Sequence, residues 1–193
     1  EESYAATTLP GYGTGETHFT QMQSRRVFRY QPGRISGFTF GVKASDESRS
    51  GYFIEWGISK PTDEYILRVR SGQLYIVRRS SIPLGLDLLR QNGLRDDAEV
   101  QVKDDISGLK ASGDPFRDEE YHYVTEISTD FFNGDPLDGT GLSEYNISPS
   151  KVTMWKIEFG WYGAIGARFY AYIPVGAGEA RWVVIHTLVI ENK

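Results

Sequence analysis

Along most of the chain apolar and polar residues alternate one by one. GFTFGVK sets Phe38, Phe40 and Val42 against Thr39, Gly41 and Lys43, and GYFIEWGI puts Tyr52, Ile54, Trp56 and Ile58 on one side. A strand turns successive side chains to opposite faces, so a period of two predicts half-buried strands. SRRVFRY alternates over residues 25–30. EYILRVR and QLYIVRR do so on either side of Ser71-Gly72, a two-residue link suited to a hairpin. AEVQVK and YHYVTEIS follow the same rule. In VTMWKIEFGWYG, Trp155, Ile157, Phe159 and Trp161 share a face. ARFYAYIP follows, VGAG makes a turn, and ARWVVIHTLVIE puts His186 on the face of Trp182, Val184, Leu188 and Ile190.

Three stretches break the alternation. In PLGLDLLRQNGL, Leu84, Leu88 and Leu89 recur at helical spacing and Asn92-Gly93 can end the turn, which predicts one short helix. Residues 104–120 are polar with Gly and Pro and read as a surface loop. Residues 1–20, rich in Gly and Thr, read as an N-terminal arm. About ten short strands and one helix predict an all-β fold, a two-sheet antiparallel sandwich of jelly-roll-like form. It occupies residues 21–193 as a single domain.

Composition narrows the function classes. The 193 residues suffice for one domain that buries roughly 70% of its unfolded surface, so no staple is needed. There is no cysteine, which excludes disulfides and thiolate metal sites. Nucleic acid would want a basic face, and the net charge of -5, with both signs interspersed, gives no reason to expect one. No apolar run approaches the roughly 18 residues of a membrane span, so no membrane insertion is expected. No signal peptide is visible, and a first residue of Glu1 fits a processed product or a fragment. Aromatic residues at 13%, beside many glycines, reinforce strands with frequent turns.

Few residues suggest chemistry. His186 reads as a core histidine, because no Ser or Cys motif points to it. His18 and His122 lack a second ligand at a metal spacing. The acids around residues 96–105 and 118–120 read as solvated surface, and no pair is identifiable as a glycosidase dyad. Glu99, Gln101 and Lys103 share a strand face that loosely matches a metal-nuclease pattern. Asn146-Ile147-Ser148 is a formal glycosylation triplet, with Pro149 directly after it disfavouring use. Arg78-Arg79 reads either as a grip for an anion or as a solvated strand end with one Arg on an aromatic ring.

The densest cluster is FFNGDPLDGTG, residues 131–141. Asn133, Asp135 and Asp138 are calcium candidates, yet they miss the alternate spacing of an EF-hand loop. A compact turn fits better. Gly134, Gly139 and Gly141 permit positive φ, Pro136 fixes its own φ, and Asp135 and Asp138 can cap nearby amides. On that reading Asp135→Asn changes stability little. No catalytic residue and no cofactor are expected.

The same cluster carries a resemblance. FNGDPLDGTG, then Asn146-Ile147-Ser148 and VTMWKIEFGWYGAIGARFYAYI, is similar to a structural module of virus particles. The module occurs in tailed bacteriophages, cyanophages among them, and in some large DNA viruses. Tyr30-Gln31-Pro32-Gly33, Glu55-Trp56-Gly57, Gly72-Gln73-Leu74 and Ile76-Val77-Arg78-Arg79-Ser80 match it in order. The likeness spans residues 25–190. It departs at Glu144, where a glycine is usual, and in the loop of residues 104–120.

The resemblance implies a non-enzymatic virion protein, part of a tail, fibre or capsid decoration, and supplies no catalytic residues. Its partners would be copies of itself, a trimer first, and other virion proteins. The alternative is a carbohydrate-binding sandwich that attaches to a host-surface glycan, with Tyr12, Tyr145 and Trp161 as candidates. A third class, a hydrolase on the same scaffold, needs two acids converging in a cleft.

Overall fold

The computed structural model describes residues 6–10, 17–20, 34–44, 53–60, 63–101, 123–160, 166–176 and 178–190. They form an all-β sandwich of two antiparallel sheets with one short helix. The larger sheet contains β1 (Ala6–Pro10), β2 (Thr17–Thr20), β4 (Phe53–Lys60), β5 (Asp63–Arg70), β6 (Gln73–Ser80), β7 (Glu99–Gln101) and β8 (Tyr123–Ser128). Their spatial order is β2-β1-β4-β5-β6-β8-β7. The smaller contains β3 (Ile35–Val42), β9 (Thr153–Gly160), β10 (Ala167–Gly176) and β11 (Glu179–Leu188), in the order β11-β10-β9-β3.

Alternation does what it predicts. Ile54, Trp56, Leu67, Val69, Leu74, Ile76 and Ile127 are buried on the inner face of the larger sheet. Trp155, Ile157, Phe169, Ala171 and Ile173 oppose them from the smaller sheet. Trp56 and Trp155 meet across the sandwich with ring centroids 5.5 Å apart. Phe159 is only half-buried and stacks on Phe38. The Ser71-Gly72 link has positive φ at both residues, the twist that a tight hairpin needs. Helix α1 (Leu86–Gln91) ends where expected. Gly93 holds φ +72, Gly93 N–H donates to Arg90 O, and Leu94 N–H reaches back to Leu89 O at 2.8 Å.

Two expectations need correction. Where it is described, the N-terminal arm is part of the larger sheet. β1 pairs with β4 through Ala6↔Glu55 and Thr7↔Ile54, and β2 pairs with β1. Threonines suit strands, and pairing at a sheet margin needs only backbone, so the missing apolar period was misleading. Second, His186 does not share a face with Trp182 and Val184. The register with β10 slips between Phe169↔His186 and Tyr170↔Val184. Ile185 is the extra residue of a β-bulge, and it reverses the alternation. His186 and Leu188 therefore point inward, whereas Trp182 and Val184 point outward opposite Tyr172 and Tyr170.

The strand expected at residues 25–30, the loop of residues 104–120, Tyr12, Tyr52, Lys103, His122 and Trp161 lie outside the described residues.

Candidate functional site

The 131–141 cluster is built as a brace along β11. Asn133 Nδ2 donates to Thr187 O and Thr187 N–H donates back to Asn133 Oδ1, both at 2.8 Å. Gly134 N–H then reaches Ile185 O at 3.1 Å and Asp135 N–H reaches Val184 O at 2.9 Å. Asn92, at the end of α1, repeats the side-chain exchange with Val189, at 3.0 and 2.7 Å. Two asparagine amides thus act as strand peptides along one margin of β11.

The acids of the loop face inward to its own backbone. Asp135 is buried and accepts Leu137 N–H at 3.0 Å on one oxygen and Ser143 N–H at 2.8 Å on the other. Asp138 accepts both the N–H and the hydroxyl of Thr140, and these bonds hold its carboxyl below the usual range. Asn133, Asp135 and Asp138 are each committed to a different protein partner. Among the described residues no group of three His, Asp or Glu side chains is arranged to hold a metal ion.

Of the three loop glycines only Gly139 has positive φ. Gly134 and Gly141 are required by close approach instead. A Cβ on Gly134 would strike Val184 O, and one on Gly141 would strike the Asp135 carboxylate. Glu144, beyond the loop, is a non-glycine residue in the left-handed region, with φ 54.

His186 completes the brace from beneath. Its Nδ1 accepts Asn133 N–H at 3.2 Å, which leaves the proton on Nε2, an atom without a hydrogen-bond partner. Burial pushes its imidazole down to about 4 from an ordinary 6.5. Among the described residues no acid is hydrogen-bonded to it.

The arginines are not solvated strand ends. On the outer face of the larger sheet Arg70, Glu126, Arg68, Glu55, Arg79 and Glu64 form a chain of alternating charge. Arg68 contacts Glu126 at 2.6 Å and Glu55 at 2.5 Å, while Arg79 contacts Glu55 at 3.0 Å and Glu64 at 2.9 Å. Arg70 pairs with Glu126. Arg78 points the other way, into the sandwich, where its Nη2 donates to Ile82 O at 3.0 Å. Glu99 lies 3.6 Å from Arg78 and accepts Leu84 N–H at 2.7 Å, so it serves the fold. Burial pushes the neighbouring Tyr65 phenol up to about 12.

Among the described residues, the outer face of the smaller sheet presents an open surface of mixed aromatic and charged side chains. Gly41, Met154, Tyr172 and Trp182 form one row across its four strands. Thr39, Lys156, Tyr170 and Val184 form the next, and Gly37, Glu158, Arg168 and Thr187 a third. Tyr172 is 42% and Met154 41% exposed. Tyr172 and Trp182 rings lie 5.2 Å apart. Lys156 Nζ sits 4.1 Å from the Tyr170 ring centroid, 5.2 Å from that of Trp182, and 2.9 Å from Glu158. Tyr170 OH donates to Glu158 at 2.6 Å. Burial works against ionisation of Glu158, but the bonds from Tyr170 and Lys156 and the charges of Lys156 and Arg168 prevail, and its pKa is lowered.

Of the carbohydrate candidates, only Tyr145 is described, and its ring packs against the core. Tyr172 and Trp182 were not anticipated. They lie on different strands, and the bulge at Ile185 hides which face Trp182 occupies. Comparison with protein-family models, curated proteins and solved structures gives no match.

Proposed function

We propose that the chain is a non-enzymatic structural component of a virus particle, of a tail, fibre or capsid decoration, acting through contacts with copies of itself and with neighbouring virion proteins. The observation that carries this reading is the 131–141 loop. It is the most distinctive stretch of the resemblance to the virion module, and its polar groups are spent on bracing β11 and on the loop's own backbone. A motif used that way supports a rigid building block rather than a reaction centre. The buried charge chain serves the same end, since partnered buried ions constrain geometry even where they add little stability. A closed homo-oligomer, a trimer first, is the expected assembly.

Gold-labelled antibody against the chain, imaged by electron microscopy on intact particles, tests the location. Label at a fixed particle site is expected, and particles that never take label overturn the reading. Sedimentation of the isolated chain tests the assembly, and a monomer at high concentration overturns the homo-oligomer.

A further inference from the structure

We infer that the outer face of the four-stranded sheet is a saccharide-binding site for a neutral hexopyranose chain. A pyranose has an apolar C–H face and a rim of hydroxyls, so its site needs an aromatic platform beside paired donors and acceptors. Tyr172, exposed, and Trp182, half-buried, supply the platform side by side on the outer face. Lys156 lies one row away and offers N–H donors beyond the one it shares with Glu158 at 2.9 Å. Tyr170 beside it gives its O–H to Glu158 at 2.6 Å and keeps an acceptor oxygen, and Glu158, two rows away, supplies acceptor oxygens. Arg168 adds a further donor opposite Glu158 on the neighbouring strand.

The edge strand keeps the shelf flat. Outward positions of β3 include Gly37 and Gly41, where a Cβ would sit 3.3 Å from Glu158 Cγ and 3.3 Å from Met154 Sδ. A polymer can therefore lie across the strands without meeting a raised side chain at either position. Lys156 spans the rings of Tyr170 and Trp182, which holds both in place before a ligand arrives.

The mixed charge selects among ligands. Stacked bases also suit aromatic sheet faces, but a nucleic acid would bring phosphates towards the Glu158 carboxylate on a chain of net charge -5. A neutral sugar has no such conflict and uses the acid and its cations alike.

Titration calorimetry of the whole chain with neutral hexasaccharides of glucose, galactose and mannose tests this, with a thymidine hexanucleotide alongside. At least one hexasaccharide is expected to bind. Trp182→Ala and Tyr172→Ala are each expected to weaken it at least about tenfold, with the circular-dichroism spectrum unchanged. Tyr172 is exposed, so Tyr172→Ala decides the matter even if Trp182→Ala fails to fold. Absence of binding by every hexasaccharide, binding that survives Tyr172→Ala, or binding of the oligonucleotide alone overturns the site. Self-association lost in Tyr172→Ala assigns the face to a second copy and overturns it too. The measurement uses the isolated chain, so it fails or succeeds independently of the particle role.

Discussion

Gly141 lies so close to the carboxylate of Asp135 that a methyl group on it would collide with the acid. Gly141→Ala is therefore expected to cost about 1–3 kcal/mol by displacing a buried, doubly bonded group. Gly139→Ala is expected to cost about 1 kcal/mol, because its φ of +89 is disfavoured while the space around it is open. Urea unfolding of the two variants ranks them. A Gly141→Ala midpoint equal to that of the parent removes close approach as the reason for glycine.

Asp135→Asn is expected to cost about 1–3 kcal/mol, which reverses the reading from sequence. An amide offers one acceptor where two backbone N–H groups need one each. Melting with and without calcium separates this role from metal binding. Calcium is expected to leave the melting temperature unchanged, and a calcium-dependent rise lost in Asp135→Asn assigns the loop to a metal.

Glu144→Gly is expected to stabilise the fold by about 0.5 kcal/mol. Relief of a left-handed, non-glycine residue outweighs the added freedom of the unfolded chain. A chemical-denaturation midpoint at or below that of the parent contradicts this.

His186 sets an acid limit. Its folded pKa of about 4 is depressed below the unfolded 6.5, so the unfolded chain takes up the proton first as pH falls. Its stability contribution is whole above pH 6.5 and is lost progressively down to pH 4, by roughly 3 kcal/mol in total. Urea midpoints at pH 7, 5.5 and 4.5 should decline, and His186→Phe should flatten the decline. An equal decline in both proteins moves the effect to other groups.

Ile157→Ala is expected to cost about 2–5 kcal/mol, as for a fully buried aliphatic residue. Phe159→Ala should cost less, about 2 kcal/mol, because half-burial leaves part of its ring already in water. Equal losses in urea would place Phe159 deeper in the core than its half-buried position does.

The fold was largely legible because burial on one sheet face writes itself into the sequence as alternation. Phe40, Trp56, Leu67, Trp155 and Ile157 all took the face that their period assigned. Two features left no such mark. A bulge adds one residue and inverts every face beyond it, so Trp182 was misplaced relative to His186. Buried ion pairs look like solvated strand polarity, and only the register across β4, β5, β6 and β8 shows that Glu55, Arg68 and Arg79 answer one another. The loop was legible as a turn, but its use of Asn133 was not, since the partner Thr187 is 54 residues away.

The asparagine exchanges on β11 also limit how the molecule can polymerise. Filaments built by strand addition need a donor margin and an acceptor margin on every unit. In the smaller sheet, Asn133, Gly134, Asp135 and Asn92 already occupy positions 184, 185, 187 and 189 along one margin. A second chain cannot add a strand at these positions, because their backbone groups are already bonded. Along that stretch of β11, a neighbouring molecule can be met by side chains but not by a paired backbone.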